Sequence, residues 1–175
     1  MPPLILTLLM EEPAMAHFDA LRRRHFPPAR NVIAAHVTLF HKLPGEDEAA
    51  IRAMLARESA EWTGFTVQVR PPRLLGYGVA FDLDSAELLA LHADLAARFA
   101  EVLSPQDRQR FRPHVTVQNK VTPEEARHTC AMLSDGFAPF AFQADGLALW
   151  RYQGGPWEPA GEFRFRRGPE RVPEE

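Results

Sequence analysis

His36-Val37-Thr38-Leu39 and, 78 residues further on, His114-Val115-Thr116-Val117 carry the organisation of this 175-residue chain. In an extended strand, residues i and i+2 point to the same face. Each tetrapeptide therefore sets an imidazole beside a hydroxyl on one face and two aliphatic side chains on the other. A strand that lines a wet cleft has this division. By chance, this chain's own composition supplies about 0.13 His-x-Thr-hydrophobic matches, so a doublet is a specific signal.

The doublet sits inside a repeat. After the first copy come a helix over 47–60, with Ile51, Met54 and Leu55 on one face, then the alternating strand Phe65-Thr66-Val67-Gln68-Val69, then a strand over 74–83 weakened by Gly76 and Gly78. After the second come a helix over 123–133 that opens on Pro123, a strand over 137–150 containing Phe140-Ala141-Phe142-Gln143, and a last strand over 162–166. A strand over 4–10 and a helix over 14–24, with Ala14, Phe18 and Leu21 at helical spacing, lead into a strand over 32–40. A helix over 85–103, capped by Ser85 and closed by Pro105, joins the two copies. Helices and strands do not alternate one for one, so the order predicts an α+β fold with mostly antiparallel pairing. The two similar half-units predict a pseudo-twofold molecule whose His-x-Thr strands face each other across a shared cleft. Residues 1–167 read as a single domain and 168–175 as a solvated tail.

Composition bounds the function. With 20 Lys and Arg against 23 Asp and Glu the net charge is −3, which gives no global field for duplex DNA or RNA. A small or single-stranded nucleic-acid ligand at a local basic site is compatible with that balance. The single cysteine, Cys130, excludes an intramolecular disulfide framework and a multi-cysteine zinc site, and fits a reducing compartment. The apolar opening, Met1 to Met10, has no basic leader and is too short to span a bilayer. A cytoplasmic monomer without a membrane segment is expected. There is no His-Glu-x-x-His, no Gly-x-x-x-x-Gly-Lys-Ser/Thr and no Gly-x-Ser-x-Gly, which argues against zinc proteases, P-loop enzymes and serine hydrolases.

Two histidines are what one-step acid–base chemistry needs. A neutral imidazole takes a proton from the nucleophile while an imidazolium gives one to the leaving group. Two threonine hydroxyls can hold the non-bridging oxygens of a phosphate between them. The scheme requires neither metal nor cofactor.

The doublet, its Arg112-Pro113-His114-Val115-Thr116 context and the apolar opening strand resemble the 2H (two-histidine) phosphoesterase superfamily, and within it the bacterial RNA 2′,3′-cyclic phosphodiesterases of the 2′-5′ RNA ligase family. The likeness extends to about Arg166. It implies a bilobal fold of two antiparallel sheets with outer helices around a central groove. It also implies metal-independent hydrolysis of a 2′,3′-cyclic phosphate on a nucleotide or RNA end, in some members with reversible 2′-5′ ligation. His36 and His114 become the acid–base pair, with His114 activating water and His36 acting as acid; Thr38 and Thr116 become the phosphate-binding hydroxyls. RNA-acting relatives commonly place an arginine shortly after the second motif, where this chain has Gln118-Asn119-Lys120.

Lys42 and Lys120, each six residues after a motif histidine, are candidates to frame the groove, and Tyr77 between two glycines is a candidate to stack a base. Phe40 and Trp150 read as core, His41 as a rim residue, and His17, His25, His92 and His128 as surface. Arg22-Arg23-Arg24 reads as a solvated run serving a helix C-terminus, and Cys130 as a small buried helix residue. Two other functions remain open at this point. One is a module that binds a nucleotide or RNA end without turnover; the other is a metallohydrolase using His36, His114 and a carboxylate.

Overall fold

The computed structural model describes residues 1–168. Its spine is β6 (Phe140–Arg151), a strand long enough to serve both halves of the sheet. Residues 140–144 of β6 pair antiparallel with β3 (Phe65–Leu74), and residues 144–151 with β1 (Leu4–Met10). On the β1 side the sheet ends at β2 (Val37–Leu43); on the β3 side it continues through β4 (Val79–Asp84) to β5 (His114–Gln118). A seventh strand, β7 (Glu158–Arg164), pairs with the second half of β6. The order is β2-β1-β6-β3-β4-β5, and every named pairing is antiparallel. Strand twist accumulates across such a sheet, and here it curls far enough that β2 and β5, at opposite ends of the order, come into contact.

The α+β class and antiparallel pairing agree with the sequence. The two separate sheets do not: all seven strands belong to one sheet, because β6 hydrogen-bonds to both halves. Four helices cover it. Helix α1 (Glu12–His25) packs on β5, α4 (Pro123–Asp135) on β3, and α2 (Glu48–Glu61) on β7 and β6. Helix α3 (Ala86–Arg98) lies over β2, where Phe40 meets His92 and Phe99. The core is continuous, from Leu4, Leu6 and Phe40 through Phe18 to Val115 and Phe142. Among the described residues no helix is long and apolar enough to cross a membrane.

β1 has the bounds that its side-chain pattern predicts. The strand expected over 32–40 does not. It begins only at Val37, because the Ala35 N–H donates to the Asp19 carboxylate at 2.6 Å instead of to a neighbouring strand. The strand expected over 74–83 starts at Val79, after a turn in which Gly76 has φ +86°. Gly78 lies so close to Gln118 that a Cβ there would stand 1.9 Å from its carbonyl oxygen, so the hairpin can abut β5 only with glycine. Helix α3 stops at Arg98, well short of residue 103. Of the expected tail 168–175, residues 169–175 lie outside the described residues.

Candidate active site

The two motifs have the same burial pattern. His36 and Thr38 are half-buried, with Val37 and Leu39 buried between and after them; His114 and Thr116 are half-buried, with Val115 and Val117 buried. The aliphatic pairs belong to the core, so the polar pairs look away from it. Both histidines are tethered alike. Nδ1–H of His36 donates to the Ala34 carbonyl at 2.8 Å, and Nδ1–H of His114 to the Arg112 carbonyl at 2.8 Å. A carbonyl only accepts, so each ring carries its proton on Nδ1 when neutral and keeps the Nε2 lone pair for other work.

His36 lies near enough to His114 to feel its charge. Removal from water pushes the His36 imidazole down from 6.5 to about 4. The hydrogen bond to Ala34 opposes that fall, and the positive charges of Arg22, His114 and His41 add to it, in that order. Part of the cover is Trp157, whose ring centroid stands 4.7 Å from that of His36. Trp157 in turn leans on Trp150, whose Nε1–H donates to Thr7 Oγ1 at 3.0 Å, and Thr7 is the register partner of Thr38. On β5, His114 is in register with Asp82 on β4, which binds Arg73 and Arg112, each at 2.7 Å.

The connection from α3 to His114 is clasped onto β2. The buried Asp107 carboxylate accepts the backbone N–H groups of His41 (2.8 Å) and Lys42 (2.9 Å) and meets His41 Nδ1 at 3.1 Å. His92 is buried, not at the surface, and is sandwiched between Phe40 and Phe111, donating through Nε2 to the Leu39 carbonyl. These contacts fasten the segment that delivers His114 to the strand that carries Thr38.

The remaining candidates are dispersed. β2 carries two register shifts against β1, one between the partners of Leu6 and Thr7, where Leu39 and Phe40 are both buried, and one between the partners of Leu4 and Leu6, beside His41 and Lys42. Lys42 lines a cavity of about 400 Å³ with Met1, Pro44 and Pro105. Lys120, at φ 63°, lines another of about 750 Å³ with Arg24, His25, Gln118 and His128. Tyr77 is 62% exposed at the tip of the β3–β4 hairpin, and its carbonyl accepts Val121 N–H. Cys130 is half-buried, with Sγ toward the Pro72 carbonyl. A further cavity, of about 1020 Å³, is lined by residues such as Phe65, Asp145, Arg164 and Arg166 and by neither motif histidine.

Sequence reasoning passed over two residues here. Trp157 follows a Gly154-Gly155-Pro156 turn and carries no periodic signal. Arg22 did carry one: it lies four residues after Phe18 and eight after Ala14, on the buried stripe of α1. It is 4% exposed, not solvated. Among the described residues no group of three or more His, Cys, Asp or Glu side chains is arranged to hold a metal ion.

The sequence model of the 2′-5′ RNA ligase superfamily matches residues 10–156. No curated protein matches the sequence. Among solved structures, the fold is similar to TT0787 of Thermus thermophilus (TM-score 0.66, 16% identity, 94% of this chain and 98% of that one). It is also similar to Escherichia coli LigT solved with 3′-AMP (TM-score 0.63, 18% identity, 94% and 98%). A structure described as a phosphoesterase matches at TM-score 0.63 and 18% identity, over 95% and 99% of the two chains.

Proposed function

The chain belongs to the 2′-5′ RNA ligase superfamily, and from that membership we propose that it is a metal-independent phosphoesterase that opens a 2′,3′-cyclic phosphate on a nucleotide or RNA end. One observation carries the reading: two half-buried His-x-Thr pairs, tethered through the same Nδ1-to-carbonyl bond, on strands that the curl of the sheet brings together. The strand order supports the pseudo-twofold, bilobal reading too. β2 and β5 stand at its two ends, and the similar segments Phe65–Val69 and Phe140–Ala144 pair with each other at its centre. LigT has been crystallised with 3′-AMP, with ATP and with phosphate, ligands of the class this groove would take.

In the proposed reaction Thr38 and Thr116 hold the non-bridging oxygens. His114 Nε2 takes a proton from the attacking water, the new P–O bond forms, the bond from phosphorus to the 3′ oxygen breaks, and His36 gives that oxygen a proton. The product is a 2′-phosphate. In the free groove His36 is neutral near pH 7, so its role as acid requires that the phosphate anion first raise its proton affinity.

The test is turnover of 2′,3′-cyclic nucleotides and of an RNA oligonucleotide ending in a cyclic phosphate, followed by phosphorus NMR. We expect a 2′-phosphate product, unchanged rate in EDTA, and loss of most turnover in both His36→Ala and His114→Ala. The double variant should be little slower than either single one, since the two act in one step. Near-wild-type turnover by His114→Ala would refute the acid–base pair. Binding of these ligands without turnover by the wild type would favour the binding module.

A further inference from the structure

Arg22 is the one residue of the Arg22-Arg23-Arg24 run that turns inward. Its guanidinium lies 4.3 Å above the Phe26 ring, Nε–H donates to the Asn31 side-chain oxygen at 3.1 Å, and Nη1–H donates to the Thr116 carbonyl at 2.8 Å. Asn31 begins the segment that leads into His36, and Thr116 is the threonine of the second motif. One side chain thus bolts both halves of the groove to α1, beside Asp19, which holds Ala35.

The charge of Arg22 is poorly compensated. Among the described residues no carboxylate forms an ion pair with it, although it is 4% exposed. Burial lowers its pKa, and the more distant Asp19 only partly offsets this. A buried cation without an anion is costly, and an anion bound nearby would offset that cost. Its position answers the question of which anion, since it bonds the backbone of one phosphate-binding strand and its field reaches the histidine of the other.

We propose that Arg22 is the fixed cation of the groove, holding the Thr116 strand against the segment before His36 and matching its charge to a bound phosphoryl group. It is a positioning residue that acts through Thr116 and His36. This inference rests on the phosphoesterase reading above. The charged and titratable groups around His36 are Arg22 and Asp19 on α1, His114 on β5 and His41 on β2; Trp157, the other neighbour, is uncharged.

The experiment measures binding of inorganic phosphate and of 3′-AMP by calorimetry, and titrates His36 by NMR without ligand, in wild type, Arg22→Gln and Arg22→Lys. Loss of the charge should weaken phosphate binding by about tenfold or more and raise the His36 midpoint. Lysine, which keeps the charge, should restore most of both. A folded Arg22→Gln protein with unchanged affinity and an unchanged His36 midpoint overturns the role of Arg22 and leaves the phosphoesterase reading intact. Should Arg22→Gln not fold, Arg22→Lys decides: a folded lysine variant that has lost phosphate binding overturns the charge assignment. Wild type that binds neither ligand overturns the phosphoesterase reading and this inference with it.

Discussion

The low proton affinity of His36 makes the stability of the whole fold depend on pH in a calculable way. The imidazole titrates at about 4 in the folded chain against 6.5 for a free side chain. Because the folded value is the lower one, the unfolded chain binds the extra proton first. Neutral His36 therefore contributes stability above about pH 6.5, and that contribution is lost as pH falls to about 4. At about 1.4 kcal/mol per pH unit the full effect is at most about 3 kcal/mol, a large share of the ~5–15 kcal/mol of a typical domain. The assay is urea unfolding at half-unit steps from pH 7 to 4, in wild type and in His36→Asn, whose side-chain amide can still donate to the Ala34 carbonyl. His25 and His92 also have lowered pKa values and slope the same way, but they do so in both proteins. The difference between the two curves isolates His36: the variant should lose less stability on acidification, by up to about 3 kcal/mol. Parallel curves would show that the imidazole is not held neutral, and the account of its burial would fail.

Trp157→Ala should admit water to His36 and move its NMR midpoint upward toward 6.5 with little change in unfolding free energy; an unmoved midpoint would mean that the indole does not supply the cover. Asp107→Ala leaves the His41 and Lys42 N–H groups without their acceptor, and should cost about 1–3 kcal/mol in urea unfolding. In the wild type the Asp107 carboxyl is held below its usual range, against the cost of its burial, by hydrogen bonds from His41 and Lys42. Its contribution is therefore present above the free value of 3.8 and is lost only below it, a lower pH window than that of His36.

The parts of this molecule that were legible in its sequence are those set by local periodicity. Period-two alternation in His36–Leu39 and His114–Val117 named four polar positions and four core positions, and the burial of all eight follows it. Apolar spacing found each helix, missing mainly at the ends, where caps and competing hydrogen bonds decide. Asp19 taking Ala35 N–H is one such competitor. Spacing did not announce the two register shifts of β2 against β1, because each adds a residue that no pattern marks.

On its own, then, the sequence determined the α+β class, the antiparallel strands, the doublet of His-x-Thr pairs and the likeness to a two-histidine phosphoesterase. Only the tertiary structure decided that the strands form one sheet, that its ends curl together, that Arg22 bonds the Thr116 strand, that Trp157 lies against His36 and that Asp107 clasps β2. The reason is physical. Which face a side chain takes follows from backbone geometry over a few residues. Which strand lies beside another, and which buried charge goes without a partner, follows from hydrogen bonds and packing between segments about 70 to 140 residues apart, such as Arg22 with Thr116 or Thr7 with Trp150.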